Sequence, residues 1–407
     1  MRNTIGVGLM FGLAASAAAC TTLLGDFDVV GDGGEGNGGE GSTGTTSPCA
    51  AGTASCDGNA ADCEVNVRED ELNCGACGTV CLGDGTCNAG ECTGVAEIAR
   101  AIGEEHRRGN YLAVYEGEVY WTTGNTASGT VRKVSVLGGT PTTIATMQDG
   151  PLAIAVNAVG VFWSNGNSKE VMRGDRNGEE AGTPVQVVDT NVQATGVAAD
   201  EQEVFWAQHA SDPGEWSLIG RITMADGRVD RHFLEAEDTL PNFIALDPDY
   251  VYWIDRSDEG AVKRTSRRDQ RTIDVAEDLR SPHAIAVDRD YVYWTISPAE
   301  EPDTGVMRAR KDGSERQQPT HIGGAMDEND DDRHQRPAGI AVDDVDDYVY
   351  WTDQGSGSVR RAPKNGRGYQ EDVFRGGTPR GIALDHKYVY WVNENQSGSV
   401  MKLRRPP

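Results

Sequence analysis

A segment of about eleven residues, ending in Tyr-Trp or Phe-Trp, occurs seven times between residues 111 and 391. Each copy begins with small and aliphatic residues, passes through a polar turn and ends on the aromatic pair; the copy at 339–351 is two residues longer. The tryptophans lie 40 to 57 residues apart, which indicates an array of similar supersecondary units. The series consists of Trp121, Trp163, Trp206, Trp253, Trp294, Trp351 and Trp391.

Further strand and turn patterns follow most of the aromatic pairs. A short strand pattern that ends in a base occurs, for example, at Val306-Met307-Arg308 and at Val400-Met401-Lys402. Dipeptides that favour tight hairpins come next in other units, as at Asp312-Gly313 and Asn365-Gly366. Each unit is therefore predicted to be an antiparallel meander of about four short strands, which is the size of a β-propeller blade.

We predict an all-β, seven-bladed β-propeller over residues 95–407. A blade is covered by a neighbour on each face, so the tryptophans should be core residues. In the sixth unit, Val349 and Trp351 should face one neighbour, while Tyr350 faces the other or the rim. The last unit ends after its third strand, so the unassigned segment 95–102 is predicted to supply the missing outer strand and close the ring.

The tetrapeptide Tyr350-Trp351-Thr352-Asp353 spells the motif of YWTD propellers, and the repeats resemble the low-density-lipoprotein-receptor class B repeat. Tyr252-Trp253-Ile254-Asp255 comes close, whereas Phe162-Trp163-Ser164-Asn165 and Phe205-Trp206-Ala207-Gln208 depart from the motif. The resemblance covers about residues 95–407. Propellers of that family have six blades, so a six-bladed ring is the alternative to the seven units counted here.

Residues 1–20, MRNTIGVGLMFGLAASAAAC, have the pattern of an export signal, with one Arg2 before an apolar run that breaks into small residues. The run is too short for a stable transmembrane helix. Ala17-Ala18-Ala19-Cys20 resembles a bacterial lipobox, which implies that Cys20 is the lipidated first residue of the mature protein. The alternative is ordinary cleavage before Cys20, which would leave a free thiol. Thr21, rather than Asp, follows Cys20, and the sorting rule for such lipoproteins then implies the outer membrane.

Residues 21–48 are too rich in glycine to form a core, so we predict a flexible linker. The next segment, 49–92, contains eight cysteines, and an exported chain with that density is expected to form a module with four disulfides rather than a zinc or redox site. The stretch NCGACGTVC resembles Cys-rich modules such as the stigma-specific secreted proteins. The eight residues are Cys49, Cys56, Cys63, Cys74, Cys77, Cys81, Cys87 and Cys92.

A net charge of −27 argues against a nucleic-acid partner or an anionic membrane surface, because either would need a basic patch. We expect a monomer that is attached to the membrane only through its lipid. The segment MDENDDDRHQ in the sixth unit has Asp327, Asn329 and Asp331 at alternating positions, as in calcium loops, but it lacks the Gly and the final Glu of an EF-hand. A solvated acidic insertion is therefore favoured over a calcium site at 327–332.

Propellers bind ligands at the mouth of the central channel, next to the start of each inner strand. From a ring of seven positions just before the inner strands, we predict a ligand site formed by Asn110, Thr195, Asn242, His283 and Arg380; the other two positions are Leu152 and Ala338. Propeller lactonases and lyases resemble this fold but need acidic or histidine clusters for a metal. This ring has one histidine and no carboxylate, so we expect no metal, cofactor or catalytic residue.

Two functions from different classes follow from these observations. The first is a surface-anchored binding or scaffold lipoprotein that recognises a protein or a glycan with its propeller. The alternative is a propeller enzyme, lactonase-like or lyase-like, that acts on a small substrate at the channel mouth. Carboxylates lining the channel would favour the enzyme.

Overall fold

A computed structural model describes most of the chain after residue 52. The described residues are 53–54, 56, 65–77, 79–82, 85–100, 109–124, 126–178, 185–189, 193–210, 217–235, 239–297, 304–323, 335–394 and 398–405. The predicted signal with Cys20, the linker, Cys49, Cys63 and the acidic segment 327–332 lie outside them. Within these ranges all regular structure is β-strand, and no helix is long and apolar enough to cross a membrane.

Seven sheets form a propeller, which confirms the predicted fold and the count of seven blades. Each inner strand begins the blade and borders the channel: β7 (Gly109–Tyr115), β11 (Pro151–Asn157), β15 (Gln193–Ala199), β19 (Pro241–Leu246), β23 (Pro282–Val287), β27 (Pro337–Ala341) and β31 (Pro379–Leu384). The second strands carry the aromatic pairs: β8 (Glu118–Thr123), β12 (Gly160–Asn165), β16 (Glu203–His209), β20 (Tyr250–Asp255), β24 (Tyr291–Ile296), β28 (Tyr348–Asp353) and β32 (Tyr388–Asn393).

The outer half of each blade completes the meander. The third strands are β9 (Gly129–Ser135), β13 (Glu170–Gly174), β17 (Leu218–Thr223), β21 (Ala261–Ser266), β25 (Gly305–Arg310), β29 (Ser358–Pro363) and β33 (Ser399–Arg404). The outer strands of blades 1 to 6 are β10 (Thr142–Gln148), β14 (Val185–Asp189), β18 (Val229–Glu235), β22 (Thr272–Ala276), β26 (Thr320–Gly323) and β30 (Glu371–Arg375). All pairings within these sheets are antiparallel.

The seventh blade is completed by the strand that precedes the first blade. Strand β6 (Ala96–Arg100) pairs antiparallel with β33, with Ala99 opposite Val400 and Ala96 opposite Lys402. The two ends of the propeller therefore lie in one sheet, as the sequence predicted. Because β33 is paired on both sides, the ring has no open edge at its C-terminal strand.

The cysteine-rich segment is attached to this same blade. It contains five two-residue strands, namely β1 (Thr53–Ala54), β2 (Val65–Asn66), β3 (Val80–Cys81), β4 (Cys87–Asn88) and β5 (Glu91–Cys92). Strand β3 pairs with the outside of β6, and the Thr79 hydroxyl donates a hydrogen bond to the Leu137 carbonyl oxygen at 3.0 Å. The segment thus covers the outer edge of blade 7 and forms one compact unit with the propeller.

Three disulfides stabilise this segment within the described residues: Cys56–Cys77, Cys74–Cys87 and Cys81–Cys92. They account for six of the eight cysteines predicted to pair. Covalent links matter here because the short strands bury few large apolar side chains of their own.

The tryptophans of all seven repeats are buried, each with at most 1% of its surface exposed. Trp351 and Val349 pack in a cluster with Tyr293 of blade 5, while Tyr350 packs with Trp391 of blade 7. Successive side chains of one strand thus enter the interfaces on opposite sides of the blade, which explains why the repeat does not alternate between polar and apolar residues.

Salt bridges between blades repeat at equivalent positions. The base that directly follows a third strand contacts an aspartate that follows the inner strand of the preceding blade; we call each such contact an interblade latch. The latches are Arg267–Asp200, Lys311–Asp247, Lys364–Asp288 and Arg405–Asp343. The aspartate is also fixed within its own blade: the Tyr252 hydroxyl donates to Asp247 at 2.7 Å, and the Tyr293 hydroxyl donates to Asp288 at 2.8 Å.

Candidate functional site

The residues predicted from the sequence lie at the channel mouth, but inside the inner strands rather than before them. Asn242, His283 and Arg380 are each the second residue of their strand, because five of the seven inner strands begin at a proline one position earlier. Thr195 is third in β15 and is buried, with its hydroxyl 3.3 Å from the Ala207 carbonyl oxygen. The backbone of Asn110 lies in β7, and its side chain is outside the described part of the structure.

One residue deeper, two aromatic rings meet across the channel. Tyr111 of blade 1 and Phe243 of blade 4 have ring centroids 5.2 Å apart. The His283 ring lies 5.1 Å from Phe243, and the Arg380 guanidinium lies 5.7 Å from the Tyr111 ring. These four side chains form a continuous row across the channel, which we call the aromatic bridge. Tyr111 and Phe243 share a cavity with mainly aliphatic residues of the inner strands, such as Leu112 and Ile340.

A polar pocket opens next to this bridge, on blades 5 to 7. Its volume is about 270 Å³, and its lining consists of His283, Ser297, Arg336, Pro337, Ala338, Gln354 and Arg380. Of the predicted site residues, His283 and Arg380 share this pocket, whereas Asn242 and Thr195 are not part of its lining; Ala338, a ring position outside the predicted site, also lines it. The pocket presents guanidinium, amide, hydroxyl and imidazole groups, and no carboxylate is among these lining residues.

The charge state of the pocket is set by burial and by a few neighbours. Burial lowers the pKa of His283 to about 4, although its hydrogen bond with the Ala338 carbonyl oxygen acts in the opposite direction and the positive charges of Arg256 and Arg380 add to the lowering. His283 is therefore neutral near pH 7. Since a carbonyl oxygen can only accept, His283 Nδ1 carries the proton and Nε2 is left as an acceptor.

Arg380 is held as a cation in spite of its burial. Desolvation lowers the pKa of its guanidinium, but interactions with Tyr111 and Glu394 outweigh that effect and raise the pKa above its ordinary value. Its Nη1 donates to Glu394 Oε1 at 2.7 Å. Arg380 is therefore positively charged near pH 7.

The loops around the mouth are fixed by the last residue of a second strand. Asp353 Oδ1 accepts a hydrogen bond from the Arg336 backbone N–H at 2.8 Å, and Asp255 Oδ1 accepts from the Leu240 N–H at 3.0 Å. In blade 7 the Asn393 side chain plays the same part, accepting from the Thr378 N–H at 2.7 Å. The aspartate of the YWTD tetrapeptide is therefore a buried turn residue that positions the mouth.

Several residues at the mouth were missed by the sequence argument, which considered one position per repeat. Arg336 comes just before the inner proline, and Ser297, Gln354 and Glu394 each come directly after a second strand. A comparison of the residues flanking each proline and each aromatic unit could have found them, because strand pairing brings those two places together in every blade.

No group of histidine and carboxylate side chains at the mouth, among the described residues, is close enough to share a metal ion. The Sγ atoms of Cys74, Cys81 and Cys92 do lie within 4.8 Å of one another. Each of these sulfurs is bonded in a disulfide, so the group is a packed disulfide cluster rather than a set of metal ligands.

Comparisons with known proteins place the chain among β-propellers. No family model matches the sequence, and the search of curated proteins finds no match. A catalytically inactive virginiamycin B lyase from Staphylococcus aureus, in complex with quinupristin, has 15% identity and a TM-score of 0.57, covering 77% of this chain and 99% of its own. A streptogramin B lyase has 13% identity and a TM-score of 0.56, covering 76% of this chain and 97% of its own. Hydrazine synthase from Kuenenia stuttgartiensis has 16% identity and a TM-score of 0.55, covering 71% of this chain and 92% of its own. At these identities the likeness shows the fold alone, and the chain is a β-propeller protein.

Proposed function

We propose that this protein is an exported, lipid-anchored binding protein of the bacterial outer membrane that recognises its ligand, a glycan or a protein, at the channel mouth. The observation that carries the proposal is the polar pocket beside the aromatic bridge, where Arg336, Gln354 and Arg380 converge on loops fixed by Asp353 and Asn393. Pre-organised polar groups in a concave site are typical of ligand recognition.

The anchor in this proposal rests on the N-terminal sequence. The run that ends at Cys20 has the composition of a lipoprotein signal, and Thr21 favours sorting to the outer membrane. The Gly-rich residues 21–48 would give the propeller a reach of ~30 Å from the membrane surface. A disulfide-rich segment directly after the linker is consistent with an oxidising compartment.

An enzyme of the lyase or lactonase type is the second candidate. The propeller lyases among the similar structures and the free Nε2 atom of His283 favour it. However, a general base is most effective when its pKa lies near the working pH, and the pKa of His283 is about 4. Among the described residues that line the pocket, no carboxylate, lysine, cysteine or tyrosine accompanies His283. Binding is therefore the function that the geometry supports better.

The proposal can be tested by site-specific photo-crosslinking with the full-length protein. A crosslinking amino acid in place of Gln354 would report on the mouth, and the same amino acid in place of Tyr369, which is 97% exposed on blade 6, would serve as the control. Both variants would be incubated with outer-membrane extract and with a glycan array. Ligand captured at 354 but not at 369 supports mouth binding, and equal capture at both positions contradicts it.

A parallel turnover assay separates the two candidate functions. Hydrolysis or elimination of lactone and ester substrates that disappears in His283→Ala would favour the enzyme. Crosslinking at 354 without turnover would favour the binding protein.

A further inference from the structure

We infer that the mouth pocket binds a small oxyanion, namely a carboxylate, phosphate or sulfate group on a ligand of about the size of one sugar residue. This inference rests on the proposed function and names the chemical class of its ligand. Two arginines of the pocket lining carry it, Arg336 of blade 6 and Arg380 of blade 7, and the positive charge of Arg256 of blade 4 acts on His283 of the same pocket.

Positive charge at this place is unusual for a chain with a net charge of −27. Elsewhere the arginines of the interblade latches, such as Arg405 and Arg267, are neutralised by aspartates of the neighbouring blade. Arg256 and Arg336 differ from them, because neither guanidinium forms an ion pair with another described residue. Positive side chains left without counter-ions in an acidic protein create a local field that attracts an anion.

The backbone of Arg336 is fixed by two hydrogen bonds, whereas no ion pair with a described residue fixes its side chain. Its N–H donates to Asp353 Oδ1, and its carbonyl oxygen accepts from the Gln354 N–H at 3.0 Å, while the residue itself is exposed. Arg256 is anchored in the same way by its N–H, which donates to the Leu240 carbonyl oxygen at 3.0 Å. The loops are therefore fixed, and the guanidinium of Arg336 remains available to a ligand in the pocket.

The other groups in the pocket are suited to an anion as well. Gln354 and Ser297 can donate hydrogen bonds, and Arg380 can share its remaining N–H groups between Glu394 and a ligand. Planar guanidinium groups bind carboxylate and phosphate oxygens with two parallel hydrogen bonds. A pocket of about 270 Å³ is below the range of ~300–1,000 Å³ that drug-sized ligands occupy, so it accommodates one small acidic unit.

The test is a titration of the full-length protein, in detergent, with D-glucuronate, glucose 6-phosphate and glucose, monitored by calorimetry. We expect one or both anions to bind and glucose not to bind, with weaker binding at higher salt. The two anions distinguish a carboxylate from a phosphate ligand. Arg336→Gln should weaken the binding of the anion by about tenfold or more. Arg268→Gln, which removes the same charge from a side chain that is 86% exposed outside the mouth, should leave it unchanged.

A variant with the opposite effect makes the test sharper. Glu394→Gln removes the carboxylate that competes for Arg380, so it should tighten binding of the anion, which loss of a merely structural contact would not do. The inference is overturned if no anion binds at millimolar concentration, if glucose binds equally well, or if Arg336→Gln and Arg268→Gln behave alike. If a neutral ligand then crosslinks at position 354, the mouth remains the binding site and only the oxyanion inference fails. If the ligand is captured elsewhere, both proposals fail.

Discussion

The ammonium group of Lys402 donates a hydrogen bond to the backbone carbonyl oxygen of Val136 at 2.8 Å. Lys402 lies in the third strand of blade 7, and Val136 directly follows the third strand of blade 1. The side chain is 5% exposed and lies 4.9 Å from the ring of Tyr388. This contact joins the last blade to the first.

The pH dependence of stability should reveal this buried lysine. Burial lowers the pKa of Lys402 to about 8, below its unfolded value of 10.5. Between these values the unfolded chain retains a proton that the folded protein has released, so the contribution of Lys402 to stability rises with pH across that window. Lys402→Met should flatten this rise in urea-unfolding measurements from pH 7.5 to 10. An unchanged pH profile in the variant would contradict the assignment.

His283 should affect stability on the acid side. Its pKa is about 4 in the folded protein and 6.5 in the unfolded chain, so the unfolded chain binds a proton first as the pH falls. The stability present above pH 6.5 is therefore lost as the pH decreases to about 4, by up to about 3 kcal/mol. His283→Asn should reduce this loss when the free energy of unfolding is compared at pH 7 and pH 4.5. The idea is wrong if both proteins lose stability in parallel.

The latch whose base is most buried, Arg405, should be worth more than an exposed ion pair. Arg405 is 6% exposed, and its Nη2 and Nε atoms each lie 3.0 Å from an acceptor oxygen, on Asp343 and Asp346 respectively. Arg405→Met leaves both carboxylates without this partner and should cost about 3 kcal/mol. Arg268→Met, at a pair that is 86% and 62% exposed, should cost less than about 1 kcal/mol. Equal losses in chemical denaturation would count against the latch.

Deletion of residues 95–102 should open the ring, because β33 would lose its partner. We expect a sharp fall in the unfolding temperature or aggregation, measured by scanning calorimetry. Removal of residues 21–92 should cause a smaller but measurable loss of stability, because strand β3 covers β6 and Leu82 packs against the blade 7 core. A deletion of 21–48 alone is the matched control and should be neutral.

Lipidation of Cys20 is directly testable in cells. Mass spectrometry of the mature N-terminus should find an acylated Cys20, and Cys20→Ser should release the protein from the membrane fraction. An unmodified Cys20 or an N-terminus at Thr21 would contradict the anchor.

The repeats made most of the fold predictable, whereas the chemistry of the mouth was only partly so. Burial of a blade on both faces imposes the same aromatic pattern in every repeat, so Trp121 to Trp391 revealed the blades and their number. The pairing of β6 with β33 followed from counting strands. The contact of Tyr111 with Phe243 could not be predicted, because it joins blades 1 and 4 and depends on the diameter of the closed ring. Arg336 was missed since its partners come from another strand of its blade.

The pairing of β6 with β33 also has a consequence for the order of events during biosynthesis. Strand β6 is synthesised nearly three hundred residues before β33. Its edge that faces β33 therefore has no partner until the ribosome has added residues 399–404. Until then the edge of β6 that faces β33 is unpaired, and an unpaired strand edge makes an incompletely folded chain prone to aggregation. A chain that lacks the last ten residues has no β33, so the edge of β6 stays unpaired. The ring therefore closes only in a chain that extends through residue 404.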